Sequence, residues 1–259
     1  LKTTDMPRPG KIPRTDKIFG LHPVLEALES GKELEKVLID KHQGNERIRL
    51  LKGKLKQRNI PFQMVPKETL NRLAGAKHQG VLAYGSVIEY GSLEALLPEI
   101  FERGMDPFLL ILDGITDVRN LGAIARSAEC AGIHALILPH KGSAQVTADA
   151  VKTSAGALSS IPVCRSFNLV ETVQFLIDSG VSVVAASEKG RTLYHQVDFT
   201  RPAVLILGSE ESGISKTILA MAHEHASIPV MGRVGSLNVS VAAGIMMFEG
   251  VRQRSLPHS

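Results

Sequence analysis

The chain has 259 residues, of which 44% are hydrophobic, and its mean hydropathy is +0.07. A chain of this length and composition folds as a globular protein with one large domain or two ordinary ones. It contains no run of eighteen apolar residues, so no membrane-spanning helix is expected. The two cysteines, Cys130 and Cys164, lack metal-ligand spacing and are interpreted as reduced, buried residues of a cytoplasmic protein.

The net charge of +4 is unevenly distributed along the chain. Residues 1–80 hold 17 Lys and Arg against 9 Asp and Glu, whereas the remaining residues hold 13 against 17. A basic N-terminal part indicates binding to a polyanion such as nucleic acid. The alternative is that its densest basic run, at residues 52–58, is only a solvated helix face, and both interpretations stay open.

Two domains are predicted from the order of the elements. Residues 1–15 lack an apolar signal region and are expected to form a disordered tail. Residues 16–87 are predicted to form a small α/β domain, and residues 88–105 a linker that carries a short helix near 93–101. Within the first domain we predict strands at 18–20, 37–39, 62–65 and 80–86, and helices at 23–28, 47–58 and 67–73.

The second domain, residues 106–259, alternates short buried strands with helices. We predict strands at 108–112, 135–138, 163, 181–186, 203–207 and 226–228. Strands that alternate with helices predict an α/β fold with a mainly parallel sheet.

The first polar segment of this domain follows its first strand. Asn120 is predicted as the N-cap and Gly132 as the C-cap of a helix that carries Leu121, Ile124 and Ala128 on one face. Arg126 projects from another face. It either forms an ordinary surface pair with Glu129, three residues later, or belongs to a functional site.

The second segment is a loop bracketed by Gly208 and Gly213. This spacing matches a phosphate-binding Walker A loop, but Ile214 stands where that loop needs lysine, and Glu210 and Glu211 would repel a triphosphate. A nucleoside triphosphatase of the Walker A type is therefore excluded. An acidic loop at the carboxyl end of a strand fits a neutral or cationic ligand better.

The third segment begins where an apolar stretch stops at Pro229. A loop with two glycines follows, and Ser236 and Asn238 stand where a helix should begin. Between Leu237 and Phe248 only Asn238 and Ser240 are clearly polar, which predicts a deeply buried helix. Such a helix behind a glycine-rich loop indicates a ligand pocket made mostly of main chain, although a plain core helix would show the same pattern.

These three segments, in this order, resemble the signature motifs of the SpoU-type RNA ribose 2′-O-methyltransferases of the SPOUT superfamily. The matching strings are residues 120–126, residues 207–210 with Gly213, and residues 228–230 with 236–242, and the resemblance covers about 106–254. Residues 20–24 and 77–81 are less specific. They resemble the substrate-binding domain of the ribosomal-RNA branch, which shares the fold of ribosomal protein L30e.

The resemblance implies a cofactor and a place for it. In this family the C-terminal segment passes through a loop and forms a trefoil knot, a rare exception to unknotted topology. S-adenosylmethionine binds bent in that knot. The residues implied to bind it are Ala186, Ser187, Glu188, Leu207, Gly208, Ile228, Val230, Met231, Ser236, Leu237 and Asn238.

The resemblance also implies catalytic roles. Arg126 acts at the ribose 2′-hydroxyl, Asn120 and Glu210 orient the motifs, and Ser236 and Asn238 shape the pocket and contact substrate. Arginine is a poor base because its pKa exceeds 12, so we expect it to polarise the hydroxyl or hold the adjacent phosphate. Glu210 has an alternative role as a cap for nearby backbone donors.

The implied partners are ribosomal RNA, with a guanosine of the large-subunit RNA as the expected target, and a second copy bound through the C-terminal domain. A transfer-RNA enzyme and a non-catalytic RNA-binding protein are the alternatives. No metal site is expected, because His223 and His225 lack a third ligand nearby in sequence. His22 and His78 either contact RNA or stabilise turns.

Overall fold

The structure is a computed structural model that describes residues 17–75 and 78–255. The predicted tail at residues 1–15 and the Lys77 position of the second N-terminal string lie outside this range. The chain divides into two units, with the main boundary between Glu89 and Tyr90, and the short segment Val146–Ala148 is grouped with the first unit.

The first unit is the small α/β domain that the sequence predicts. Its sheet has the order β1-β4-β2-β3, in which β2 and β3 are parallel and the other pairs are antiparallel. Its elements are β1 (Lys17–Phe19), α1 (Leu21–Glu29), β2 (Leu34–Asp40), α2 (Glu46–Gln57), β3 (Phe62–Val65), α3 (Lys67–Ala74) and β4 (Val81–Gly85).

The two faces of this sheet bury different helices, as the alternation of side chains along a strand requires. Val81 and Ala83 of β4 pack with α1 and α2, whereas Leu82 packs with Leu70 of α3. His78 is 2% exposed; its Nδ1 accepts the Gly80 amide at 2.9 Å, which is the turn-stabilising role that the sequence left open.

The second unit has a seven-stranded sheet of order β7-β6-β5-β10-β8-β11-β9, in which every pairing is parallel. Its strands are β5 (Phe108–Asp113), β6 (Ala135–Pro139), β7 (Val163–Ser166), β8 (Ser182–Ala186), β9 (Thr192–Leu193), β10 (Ala203–Gly208) and β11 (Glu224–Ser227). Its helices are α4 (Leu93–Glu102), α5 (Val118–Cys130), α6 (Ala148–Thr153), α7 (Leu169–Asp178), α8 (Lys216–Met221) and α9 (Val239–Ser255). The predicted α/β fold with a mainly parallel sheet is confirmed.

The structure places helix α4 against the core of the second unit, whereas the sequence assigns it to a linker. Leu93, Leu97 and Ile100 are buried among core residues of the seven-stranded sheet, and the Ser92 side chain caps the helix by accepting the Ala95 amide. Because these three side chains complete the core, the second unit begins at Tyr90 and not at residue 106.

Helix α5 begins three residues before the predicted start. Asp117 is the N-cap, since its side chain accepts the Arg119 amide at 2.6 Å, and the prediction that Asn120 caps this helix is wrong. The earlier start places Asn120 inside the first turn, where its side chain is available for contacts outside the helix. The C-cap is Ala131 and not the predicted Gly132, which lies one residue later with φ of +69° and ends the helix.

Helix α9 begins after Asn238, whose Oδ1 accepts the Ser240 amide at 2.9 Å. The expectation that this helix is deeply buried on every face is wrong within this chain, because Val241 is 49% and Phe248 48% exposed. Its opposite face packs closely, and a Cβ on Gly250 would lie 2.5 Å from the Phe108 ring.

His134 gives this unit a predictable dependence on pH. Its Nδ1 accepts the Phe108 amide at 3.0 Å, and burial lowers the pKa of His134 below its usual 6.5. The folded state therefore binds fewer protons than the unfolded state below pH 6.5, and stability falls as the pH drops. We expect the free energy of unfolding, measured with urea, to decrease as the pH is lowered from 6.5 to about 5, and this decrease to be smaller in His134→Gln. Equal decreases in both proteins would contradict this role.

No helix in the described ranges is long and apolar enough to cross a membrane. The threading of the C-terminal segment through a loop, implied by the resemblance, stays a prediction.

Candidate cofactor cleft and active site

A cleft of about 380 Å³ lies at the carboxyl ends of β8, β10 and β11. Open α/β sheets bind their ligands at this edge. The cleft is bounded by the loop after β8, the loop after β10, the segment after β11 and the first turns of α9. We call it the cofactor cleft.

Nine of the eleven residues that the resemblance implies for the cofactor line this cleft: Ala186, Ser187, Glu188, Leu207, Gly208, Ile228, Val230, Ser236 and Leu237. Met231 and Asn238 do not. The Met231 side chain is 97% exposed, and Asn238 contacts other motif residues.

The sequence does not predict several of the residues that line the cleft. Val239, Ala242 and Met246 of α9 face the cleft, and their spacing of three and four residues is the one that puts side chains on one face of a helix. That spacing is visible in the sequence, but nothing there distinguishes a face that lines a ligand cleft from one that packs in the core.

The loop after β10 closes on itself between Ser209 and Gly213. Each of these residues donates its amide to the other's carbonyl, at 3.2 and 2.9 Å, and the Ser209 and Ser212 hydroxyls lie 2.7 Å apart. Glu210 lies within this turn, is exposed and lines the cleft.

Gly208 is required by this turn. A Cβ at this position would lie 2.1 Å from the Gly213 carbonyl carbon and the Ile214 nitrogen, both of which are backbone atoms. Glycine is therefore required at this position by the close approach of two parts of the backbone, and not by a left-handed φ.

The Glu210 carboxylate joins the three motifs. Its Oε1 accepts the Asn238 side-chain amide at 2.8 Å, the Asn120 amide at 3.3 Å and the Val239 backbone amide at 3.3 Å. The Asn238 amide also donates to Asn120 Oδ1 at 3.1 Å. A carboxylate at the start of α9 also interacts favourably with the helix dipole. The capping alternative for Glu210 is thus present together with the contacts that orient the motifs.

Arg126 is exposed on α5 and lies outside the residues that line the cofactor cleft. Its guanidinium forms no hydrogen bond or ion pair with any residue in the described ranges, so the alternative of a surface pair with Glu129 is not realised. A cation held on a rigid helix without a local partner is available to an anion or a hydroxyl from outside this chain.

His223 and His225 have structural partners. His223 Nδ1 accepts the Val183 amide at 2.9 Å, and His225 Nε2 lies 3.0 Å from the Leu219 carbonyl oxygen. Among residues 17–75 and 78–255, no group of three or more His, Cys, Asp or Glu side chains is placed to hold a metal ion.

Comparison with known proteins identifies the two units separately. Residues 107–248 match the model of the SpoU rRNA methylase family, and residues 17–90 match the model for RNA 2′-O ribose methyltransferase substrate binding. The second match ends at the boundary seen in the structure, whereas the first begins after helix α4.

Two curated relatives match nearly the whole chain. The Escherichia coli (strain K12) protein named 23S rRNA (guanosine-2′-O-)-methyltransferase RlmB is 39% identical over 246 residues, which cover 93% of this chain and 100% of the relative. A Staphylococcus saprophyticus protein described as a TrmH family tRNA/rRNA methyltransferase is 36% identical over 242 residues, 92% of this chain and 96% of the relative.

Among solved structures, the SpoU methyltransferase AviRb from Streptomyces viridochromogenes, in complex with S-adenosylmethionine, superposes with a TM-score of 0.58. It is 25% identical and covers 92% of this chain and 90% of its own. From the family models and the full-length relatives, the chain belongs to the SpoU family of S-adenosylmethionine-dependent RNA ribose 2′-O-methyltransferases.

Proposed function

We propose that the protein methylates a ribose 2′-hydroxyl of ribosomal RNA, at a guanosine of the large-subunit RNA, in the cytoplasm. The observation that carries this proposal is the 39% identity to a relative that is named for that reaction and is matched over its whole length. Transfer RNA is the second candidate, because the Staphylococcus saprophyticus relative is named for both RNAs.

The cofactor cleft fits S-adenosylmethionine. Its volume of about 380 Å³ lies within the range of small-molecule sites, which is roughly 300–1,000 Å³. Gly208, Gly213 and Gly235 line it, so backbone N–H and C=O groups can approach an adenine ring closely. Leu207, Ile228 and Leu237 supply apolar contacts. The nearby carboxylates suit a ligand that carries a positive sulfonium and an ammonium group.

When bound, the cofactor supplies an activated methyl group, so the protein's task is to align the hydroxyl and manage its proton. We assign Arg126 to the hydroxyl or the adjacent phosphate, where its charge stabilises the developing alkoxide. We assign Ser236, which lines the cleft, and Asn238, which lies next to it in the chain, to contact with the substrate. Asn120 and Glu210 hold Asn238 in place through the hydrogen bonds described above. The proton leaves to a phosphate oxygen or water.

We propose a homodimer formed through the second unit. Several apolar side chains after β11 and along α9 are exposed: Met231 (97%), Val234 (74%), Val241 (49%) and Phe248 (48%). A patch of this kind is typical of a protein interface, and a two-fold axis would cover it with the same patch of the partner. Arg126 does not line the cleft of its own chain, and we propose that it acts at the cleft of the other protomer.

We assign RNA binding to the first unit. Arg47, Arg49 and Lys56 of α2 are exposed, and Arg47 Nη1 lies 2.8 Å from His22 Nε2. Phosphate contacts by such side chains release counterions, so affinity falls steeply with salt.

A truncated protein that starts at Tyr90 tests this assignment. It keeps α4 and its core contacts, so we expect it to bind S-adenosylmethionine normally and to lose most of its affinity for RNA. Filter binding of the full-length protein should give a steep negative slope of log affinity against log salt concentration. Full retention of RNA affinity by the truncated protein, or a flat salt dependence, would contradict the assignment.

The choice between the two RNA classes is tested by tritium transfer from labelled S-adenosylmethionine to transcripts of 23S ribosomal RNA and of transfer RNA. We expect transfer to the ribosomal transcript. Transfer to transfer RNA alone would replace this substrate with the second candidate.

A further inference from the structure

A second cleft, of about 340 Å³, opens at the carboxyl ends of β5, β6 and β7. Its lining includes Asp113, His140, Lys141, Phe167, Val170 and Thr217. We call it the aromatic cleft. None of the roles assigned above uses these residues.

The aromatic cleft adjoins the cofactor cleft. Asp113, which lines the aromatic cleft, pairs in the sheet with Gly208, which lines the cofactor cleft. Ile214 lines the cofactor cleft, and the next residue, Ser215, lines the aromatic cleft. The Ser215 amide donates to Asp113 Oδ2 at 2.8 Å, which fixes the wall between them. A polymer whose target ribose enters the first cleft therefore passes close to the second.

Phe167 is the main feature of this cleft. Its side chain is 67% exposed, although its ring lies 4.7 Å from the His140 ring, centroid to centroid, with 31° between the planes. Contact on one side holds the ring in position, and its exposure leaves the other side to solvent. A flat apolar ring presented in this way is the feature on which proteins stack nucleic-acid bases.

The surroundings suit a nucleotide in other respects. Val170, which is 39% exposed, extends the apolar surface beside the ring. Lys141 is exposed and supplies a cation for a phosphate, while Ser215 and Thr217 supply hydroxyls that can donate to or accept from a base edge. The single carboxylate, Asp113, is already bound to the Ser215 amide.

We propose that the aromatic cleft binds an unpaired nucleobase of the RNA substrate, stacked on Phe167, next to the nucleotide that is methylated. This inference rests on RNA methyl transfer and not on which RNA is methylated. By holding a neighbouring base out of its stack, the cleft fixes the strand and so limits the positions open to the target ribose.

Phe167→Ala tests this proposal in the full-length protein. We measure RNA affinity with the transcript that the wild-type protein methylates. We expect affinity about tenfold weaker, as for loss of one base–aromatic stacking contact, with a raised KM for RNA, a kcat within a few-fold of wild type and unchanged S-adenosylmethionine affinity. Phe167→Trp should retain RNA affinity, because indole also stacks. Phe101→Ala is the matched control, since Phe101 is exposed on α4 outside both clefts.

Crosslinking supplies a readout that a structural role of Phe167 would not produce. RNA substituted with 4-thiouridine, irradiated on the wild-type protein, should yield a crosslinked peptide that contains Phe167. Wild-type RNA affinity in Phe167→Ala, or crosslinks confined to other peptides, would overturn the proposal. Methylation of transfer RNA in place of 23S ribosomal RNA would contradict only the proposed substrate, because the same variants are then measured on transfer RNA.

Discussion

Arg126→Ala should lower the rate of methyl transfer by at least about a hundredfold, the scale for loss of a group that takes part in proton transfer or charge stabilisation. The affinity for S-adenosylmethionine should stay within a few-fold of wild type, because Arg126 does not line the cofactor cleft of its own chain. Calorimetry with the cofactor and tritium transfer to RNA measure the two quantities separately.

Arg119→Ala is the matched control for this substitution. Arg119 is an exposed arginine on the same helix, two turns before Arg126, and has no proposed contact with the reacting groups. We expect it to retain most of the activity. If Arg126→Ala loses cofactor binding and activity in equal measure, the role assigned to Arg126 is wrong.

Mixing variants asks whether the active site is shared between protomers. Arg126→Ala subunits keep an intact cleft, and Gly208→Val subunits keep an intact arginine, so a mixed dimer regains one complete site only if the arginine acts across the interface. Recovered activity supports the shared site. A stable, active monomer in light scattering at micromolar concentration would contradict both the dimer and the sharing.

Gly208→Val should abolish detectable binding of S-adenosylmethionine. Its Cβ would lie 2.1 Å from the Gly213 carbonyl carbon and the Ile214 nitrogen, so the loop that carries Glu210 must move. Once Glu210 moves, the hydrogen bonds to Asn120 and Asn238 are lost, and the walls of the cleft separate.

Gly232→Val is the control for Gly208→Val, because a Cβ at Gly232 meets no atom within 4 Å and Gly232 does not line the cleft. We expect it to bind the cofactor with nearly wild-type affinity. Thermal unfolding establishes that each variant is folded before calorimetry. A folded Gly208→Val protein with unchanged affinity for S-adenosylmethionine would show that cofactor binding does not depend on the close packing of this loop.

The sequence predicts the order and type of most elements because their patterns are local. Buried parallel strands appear as short apolar runs, and capping residues mark helix ends within one or two turns. The sequence does not predict strand β9, because its two residues, Thr192 and Leu193, carry no periodicity. The sequence places helix α4 in a linker, because its apolar face becomes core only through contact with strands distant in sequence.

The candidate site shows the same division. The resemblance of the motif strings implies that Asn120, Glu210 and Asn238 belong to one site. The local pattern instead predicts Asn120 as a helix cap, because an asparagine before an apolar run is typical of an N-cap. Only the fold shows that Asp117 takes the cap and that Asn120 bonds across to residues 90 and 118 positions later. The aromatic cleft has no sequence signature, since His140 and Phe167 follow different strands.

The most direct measurement of the central claim is the position of the transferred methyl group. The full-length protein is incubated with S-adenosylmethionine and 23S ribosomal RNA that lacks modifications, the RNA is digested to nucleosides, and the products are separated by mass spectrometry. The account predicts 2′-O-methylguanosine as the methylated nucleoside, formed at least about a hundredfold more slowly with Arg126→Ala. A methyl group found on a base, or no methylated nucleoside from any RNA offered to the folded protein, would contradict it.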